Sequence, residues 1–229
     1  EDFQLLFYII QPPTPERVKY DIFDRVNRGG TPLNKQEMRN ALYRGRCTRM
    51  LDKLCCSPEF LIATGRSINK ERMKDQYVVL RAMAFLMLHR GEFKDIPALQ
   101  YRGDIDDFLA RFMVYVNDNA PEKLIVDYEN LFIRCMQISY DLLGENGFRF
   151  SGNGIRRPIN MPLFEALSYL FSFVPEKIDY TWASRLILDI ESVKEEFDGS
   201  RYFSGNIDST TSVSFRFDRM DKIINRIQL

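Results

Sequence analysis

A succession of helix start and stop signals, set in apolar periodicity of about 3.6 residues, constrains this chain more than any other feature. Thr14-Pro15-Glu16 reads as a cap, a proline at the first helical position and an acid in the first turn. Val18, Ile22, Phe23 and Val26 share the face of the helix that follows, and Asn27-Arg28-Gly29-Gly30 ends it. Asn34 with Glu37 is a capping box, opening a helix with Met38, Ala41 and Leu42 on its apolar side. Asn69 is expected to cap a long helix running to Arg90, with Gly91 as its stop. Asp104 starts another through Phe108, Phe112 and Val116, and Pro121 stands at the first turn of the next. Pro162 opens a strongly apolar helix, one more runs from about Glu176 to Phe197, and the last contains Met220, Ile223 and Ile227. Gly144 to Gly154 and Gly199 to Gly205 read as loops. Strand is expected only in the apolar run Phe3 to Ile10, bounded by Pro12-Pro13, and in a short pair near Phe148–Phe150 or Tyr202–Phe203. The fold class predicted is mainly α: a multi-helix globular body with a small β element at the N-terminus.

A chain of 229 residues with 45% hydrophobic content can bury a sizeable core. Lysine plus arginine equals aspartate plus glutamate at 32 each, so no global field draws in nucleic acid or anionic membrane, and any anion site has to be local. Arg81 in the middle of the most apolar helix argues against a membrane span. Cys47, Cys55, Cys56 and Cys135 form no C-x-x-C pair and read as buried or half-buried thiols. The single histidine, His89, argues against HNH nuclease chemistry, histidine-dependent triads and histidine-rich metal sites. At a helix C-terminus its imidazole is expected to be partly charged and to favour the dipole.

The phrase Ile22, Phe23, Arg25, Asn27, Gly30, Leu33, Glu37 and Arg39-Asn40-Ala41 resembles the second half of the ParB/sulfiredoxin-like domain of GmrSD-type restriction proteins, where the order I-F-x-R-x-N-x-x-G-x-x-L precedes an acidic helix and R-N-A. Weaker matches are the stretch Arg156 to Phe164, and Ser209 to Ser212 with Arg216 and Arg219 beyond. The resemblance implies that residues 1–45 are the C-terminal remnant of that domain and residues 46–229 a helical domain. A softer boundary between Gly91 and Gly103 is also open. The family's Asp-Gly-Gln-Gln-Arg motif, which lies upstream of the phrase, does not occur here. The chain is therefore expected to be the C-terminal part of a longer protein, partnered by a missing N-terminal segment or domain. The resemblance implies a cytoplasmic, prokaryotic antiphage restriction or DNA-sensing protein, whose nucleotide- and nucleic-acid-dependent NTPase or nuclease activity this chain supports without being active alone. It implies a nucleoside triphosphate with magnesium in the longer protein and no cofactor held by this chain. DNA and a second copy of the chain stand open as partners; a membrane does not. The alternative is a non-catalytic helical interaction or dimerisation module.

Three groups are candidate sites. Arg25, Asn27, Arg28, Gly29 and Gly30 combine guanidinium forks with glycines that let a phosphate approach the backbone. The resemblance implies that Arg25 and Asn27 complete a nucleotide site; the plainer reading is a helix corner. Asn153, Arg156, Arg157 and Asn160 follow a glycine-rich loop and precede a helix start, a setting for an anion or nucleic-acid phosphate. The plainer reading ties that loop to a neighbouring carboxylate. Ser209, Thr210, Thr211 and Ser212, before Arg216 and Arg219, read first as a cap for the last helix.

Overall fold

The computed structural model describes residues 32–152 and 156–227, together with positions 9, 11, 18, 21–23 and 25. The N-terminal run expected as a strand lies outside the described residues except for Ile9, which is exposed and has no regular structure. From Pro32 onward the described chain is helical and contains no strand.

Helix α1 (Lys35–Leu42) begins as its sequence requires. Asn34 Oδ1 accepts from the backbone N–H groups of Gln36 at 2.8 Å and Glu37 at 2.9 Å, and the Asn34 N–H donates to Glu37 Oε2 at 2.6 Å. This reciprocal box satisfies donors that a helix start leaves open. Helices α2 (Arg46–Cys55) and α3 (Pro58–Ala63) follow, with Ser57 capping α3.

The long helix is shorter than its pattern suggests. Asn69 does not open it: its Oδ1 accepts from the Glu71 N–H at 2.8 Å, ahead of a 3₁₀ turn, Glu71–Met73, that precedes the helix. Arg72 and Met73 then take left-handed backbone, with φ of 56° and 58°, and α4 (Lys74–His89) starts after them with no side-chain cap. The break is held from outside. Asn34 Nδ2 donates to the Arg72 carbonyl at 2.7 Å, and Asn40 Nδ2 donates to Gln76 Oε1 at 2.5 Å and lies 3.1 Å from Met73 Sδ. These tertiary contacts override the local helix signal at Asn69.

Beyond Gly91, the stretch to Gly103 buries Phe93 and Leu99 in the core, so it packs as part of the body. Helix α5 (Ile105–Asp118) is capped by Asp104, and α6 (Glu122–Leu143) starts at Pro121. Phe148–Phe150, expected as a strand, is turn and coil. Helix α7 (Met161–Phe171) is capped by Asn160, with Pro162 in its first turn. Helix α8 runs Tyr180–Phe197, later than the expected start near Glu176, because Asp179 accepts from the Trp182 N–H at 2.8 Å and sets the boundary. Tyr202–Phe203, the other expected strand, lies in a short helix α9 (Arg201–Ser204) capped by Ser200. Helix α10 (Thr210–Ile227) begins where Ser209 Oγ accepts from the Ser212 N–H at 3.1 Å.

Helices α4 and α7 lie side by side at the centre and are buried almost all round. Helix α6 packs on α3 and α7, α10 covers α7, α2 packs on α4, and α8 leans on α10. Phenylalanines fill the interior: Phe60 meets Phe132 and Phe164, and Phe85 meets Phe108 and Phe217. Among the described residues no helix is long and apolar enough to cross a membrane.

Candidate anion-binding cleft

The loop between α6 and α7 wraps over the end of α3 and meets the C-terminal half of α8. Together they enclose a cleft of about 550 Å³ lined by Arg149, Arg156, Arg157 and Lys194, with Glu145, Phe150 and Ser151 among the other walls. Four cations thus face one space in a chain of zero net charge.

Arg149 is the organising residue. It is 4% exposed and lies between buried Phe148 and Phe150. Its Nη2 donates to the Thr64 carbonyl at 3.2 Å and to Ser67 Oγ, its Nη1 donates to the Arg157 carbonyl, and its Nε donates to the Glu145 carbonyl at 3.3 Å. These partners are carbonyls and a hydroxyl; among the described residues no carboxylate pairs with it. Burial pulls its pKa below the usual arginine value, and Arg156 pulls in the same direction. An arginine stays charged despite such a shift, so Arg149 leaves the cleft a fixed positive charge.

The other three cations each have an acid. Arg156 pairs with Glu145 at 2.8 Å, Arg157 with Asp198 at 2.6 Å, and Lys194 with Glu191 at 2.8 Å. The Arg156 and Arg157 side chains are 45% and 40% exposed, so their pairs are solvent-screened and exchangeable. The Arg157 guanidinium also lies over the Phe150 ring, 5.4 Å from its centroid. Gly65, at φ +58°, makes room for the Arg156–Glu145 pair: a Cβ there would stand 2.7 Å from Glu145 Oε2 and closer still to Arg156 Nη2. Arg156 and Arg157 are therefore tied to carboxylates, as the plainer reading has it, and they also share a cleft with an unpaired charge.

The remaining candidates divide. Asn160 is not in the cleft; its Oδ1 accepts from the Leu163 N–H at 3.0 Å and its Nδ2 faces the Phe203 carbonyl at 3.5 Å. Asn153 lies outside the described residues, as do Asn27, Arg28, Gly29 and Gly30. Arg25 has helical backbone and is exposed. Ser209 caps α10, while Arg219 pairs with Glu196.

Arg216 belongs to a second cationic cluster, which the sequence did not reveal. Glu165 of α7 is fully buried between Arg81 of α4 and Arg216 of α10. Arg81 Nε donates to Glu165 Oε1, and Arg216 Nη2 donates to Glu165 Oε2 at 3.1 Å. Arg81 continues to Asp208 Oδ1 at 2.7 Å, and Arg216 to the Ile207 carbonyl at 2.6 Å. The cluster pins the three central helices and the loop before α10 to one another.

His89 does sit at a helix C-terminus, yet its charge state differs from expectation. Its ring stacks on Phe217 at 3.5 Å between centroids and meets Tyr169 edge-on, and its Nε2 is buried with no partner. Burial first, and nearby Arg216 second, pull its pKa down to about 3. The imidazole is neutral at ordinary pH, because desolvation outweighs the dipole. Cys47, Cys55 and Cys135 are buried and Cys56 is exposed; all four are free thiols. Among the described residues no group of three or more His, Cys, Asp or Glu side chains is placed to hold a metal ion.

A signal for Arg149 exists in the sequence: a lone charge between two phenylalanines, in a loop already rich in arginine. Lys194 and Glu165 give no local signal, since each sits on a helix at ordinary spacing. Comparison of the chain with protein-family models, with curated proteins and with solved structures finds no match.

Proposed function

We propose that this chain is a helical anion-binding module, and that the Arg149–Arg156–Arg157–Lys194 cleft takes a phosphate group of a nucleotide or nucleic acid. The observation that carries the reading is the charge on Arg149, bonded to carbonyls and a hydroxyl and to no carboxylate among the described residues, in a cleft where Arg156 and Arg157 can exchange their exposed acids for a ligand. The resemblance of the sequence supports reading the module as part of a GmrSD-like antiphage restriction or DNA-sensing protein. There it supports a nucleotide-dependent NTPase or nuclease and is inactive alone. Two features favour that inactivity: the family's upstream motif does not occur in the chain, and His89 is packed away as a neutral ring. On this reading the nucleoside triphosphate and magnesium belong to the longer protein, which is cytoplasmic.

Titration calorimetry with inorganic phosphate and with a short labelled oligonucleotide tests the proposal. Replacing Arg156 and Arg157 together by alanine removes charge-assisted hydrogen bonds, and affinity should fall about 10- to 150-fold with folding intact. Unchanged affinity in the double variant would overturn the assignment. The alternative, a non-catalytic interaction module, is favoured by one observation: Tyr180 and Leu188 of α8 are 88% and 70% exposed. Concentration-dependent dimerisation, abolished by Leu188→Glu with phosphate binding absent, would select it.

A further inference from the structure

The turn that ends α3 brings an exposed hydroxyl to a buried charge. Among the described residues, the buried arginines Arg39, Arg81 and Arg216 each bond a carboxylate, and buried Arg149 bonds none. Arg149 Nη2 donates instead to Ser67 Oγ, and that hydroxyl donates onward to the Thr64 carbonyl at 2.6 Å. Ser67 itself is exposed.

Two further cations stand at this turn. Arg66, next to Ser67, is exposed and forms no ion pair among the described residues. Its left-handed backbone, at φ 51°, is held by an N–H bond to the Leu61 carbonyl at 2.8 Å, so the turn is a fixed one. Arg156 lies against Gly65, two residues before Ser67, and its partner Glu145 is half exposed. Glu71, the next acid along the chain, is engaged with the Asn69 side chain. A neutral hydroxyl answers the Arg149 charge weakly, since hydrogen bonds to an ionised acceptor are roughly twice as strong. A phosphoryl group on Ser67 brings about 1.5 to 2 negative charges and three acceptor oxygens to a point where Arg149 already bonds. What it costs is the hydroxyl's bond to Thr64, whose carbonyl keeps Arg149 Nη2 at 3.2 Å.

We propose that Ser67 is a phosphorylation site read by Arg149, Arg156 and Arg66, and that its phosphoryl group switches off the loop cleft by supplying the counter-ion that Arg149 lacks. The transfer joins Ser67 Oγ to the γ-phosphorus of a nucleoside triphosphate presented by a protein kinase. The bond from that phosphorus to the β–γ bridging oxygen breaks, the nucleoside diphosphate leaves, and the hydroxyl proton passes to the kinase's base. The switch rests on the anion-binding reading of the cleft; the modification site does not.

Phosphoserine installed at position 67 during expression of the whole chain provides one arm of the test. It should raise the melting temperature by about 3–12 °C, and the rise should vanish in Arg149→Met. Affinity for inorganic phosphate, measured by calorimetry, should fall about ten-fold or more. In the other arm, the chain is incubated with ATP labelled at the γ-phosphorus and an extract of the cells that make it. Label should appear, survive Ser67→Thr, and be absent from Ser67→Ala with its circular dichroism unchanged. An unlabelled chain, label that persists in Ser67→Ala, or a melting temperature not raised by phosphoserine would each overturn the modification site. Phosphate binding by the unmodified chain with no loss on phosphorylation would overturn the switch alone. No phosphate binding by the unmodified chain would overturn the switch together with the cleft reading, while the melting and labelling results still decide the site.

Discussion

Glu165 in the core and Arg149 in the loop cleft are both buried charges among arginines, and they are compensated in opposite ways. Around Glu165, two guanidiniums are met by a fully buried carboxylate, with Asp208 taking a further donor. Around Arg149, every bonded acceptor is neutral, and the nearby acids are bonded instead to Arg156, Arg157 and Lys194, Glu145 from the cleft wall itself. The core cluster directs most of its donors at built-in acceptors, leaving only Arg216 Nε buried and unpartnered among its guanidinium nitrogens. The cleft keeps a net attraction for anions and has exposed arginines free to answer it. The same residue type thus locks a fold in one place and presents a binding charge in the other. What decides is whether a carboxylate is built in, and no count of arginines in the sequence carries that information.

Removing the carboxylate from the core should produce the largest effect. Glu165→Gln keeps the shape but leaves Arg81 and Arg216 with Asp208 as their one acid. Breaking a buried pair costs about 3–5 kcal/mol, which for a chain of this size corresponds to a fall of roughly 6–20 °C in melting temperature. A loss under about 1 kcal/mol by urea denaturation would mean that the cluster is not the lock described.

The corresponding change in the cleft should cost less and act on binding. Arg149→Met keeps much of the stem's bulk and removes a charge that has no partner to strand. It leaves the Thr64 and Arg157 carbonyls to find water, a cost of about 1–3 kcal/mol. Phosphate affinity should drop with it, since the fixed charge is gone. Stability close to that of wild type with unchanged affinity would erase the contrast between the two regions.

Proton uptake by His89 sharpens the picture of the core. Its folded pKa of about 3 lies below the unfolded value near 6.5. From pH 6.5 downward the unfolded chain binds a proton that the folded chain refuses, so stability falls as pH falls across that window. The slope is up to about 1.4 kcal/mol per pH unit. His89→Gln removes this contribution, and the gap between the two stability curves should narrow from pH 6.5 to pH 5. Parallel curves would show the ring to be open to water. The neighbours that set the shift, Phe217, Tyr169, Phe85 and Arg216, come from α4, α7 and α10.

These cases show which features were legible from sequence. The capping box at Asn34 and the caps at Asp104 and Asn160 were readable because donor and acceptor lie within three residues. The cap at Asn69 misled because the break after it is imposed by Asn34 and Asn40, more than thirty positions away. The loop cleft was half legible. Arg156 and Arg157 stood out as adjacent charges, but Lys194 and Asp198 reach them only through folding. The Glu165 cluster left no local trace, because its partners are 84 and 51 residues away. The short strand pair expected near Phe148–Phe150 or Tyr202–Phe203 forms at neither place. Those rings instead plug gaps between helices, Phe148 against Phe164 and Phe203 against Phe197.

The smallest predicted effect tests the cleft's geometry without touching its charges. Gly65 lies at the end of α3, at a positive φ that a side chain adopts only at a cost of roughly 1 kcal/mol. In Gly65→Ala the new Cβ meets Arg156 Nη2 and Glu145 Oε2, both far ends of flexible side chains that can swing into solvent. The exposed Arg156–Glu145 pair should therefore open at little further cost. Melting temperature should fall by about 2–4 °C. Anion affinity has two possible directions, and each is informative. If Glu145 competes with the ligand for Arg156, freeing the arginine raises affinity. If the pair fixes Arg156 in a binding pose, affinity falls. Comparing Gly65→Ala with Glu145→Gln decides between them: a gain in both variants marks Glu145 as an internal competitor, and a loss in both marks it as the residue that positions Arg156. No change in either would remove Arg156 from the anion site and leave Arg149 and Arg157 to hold the ligand.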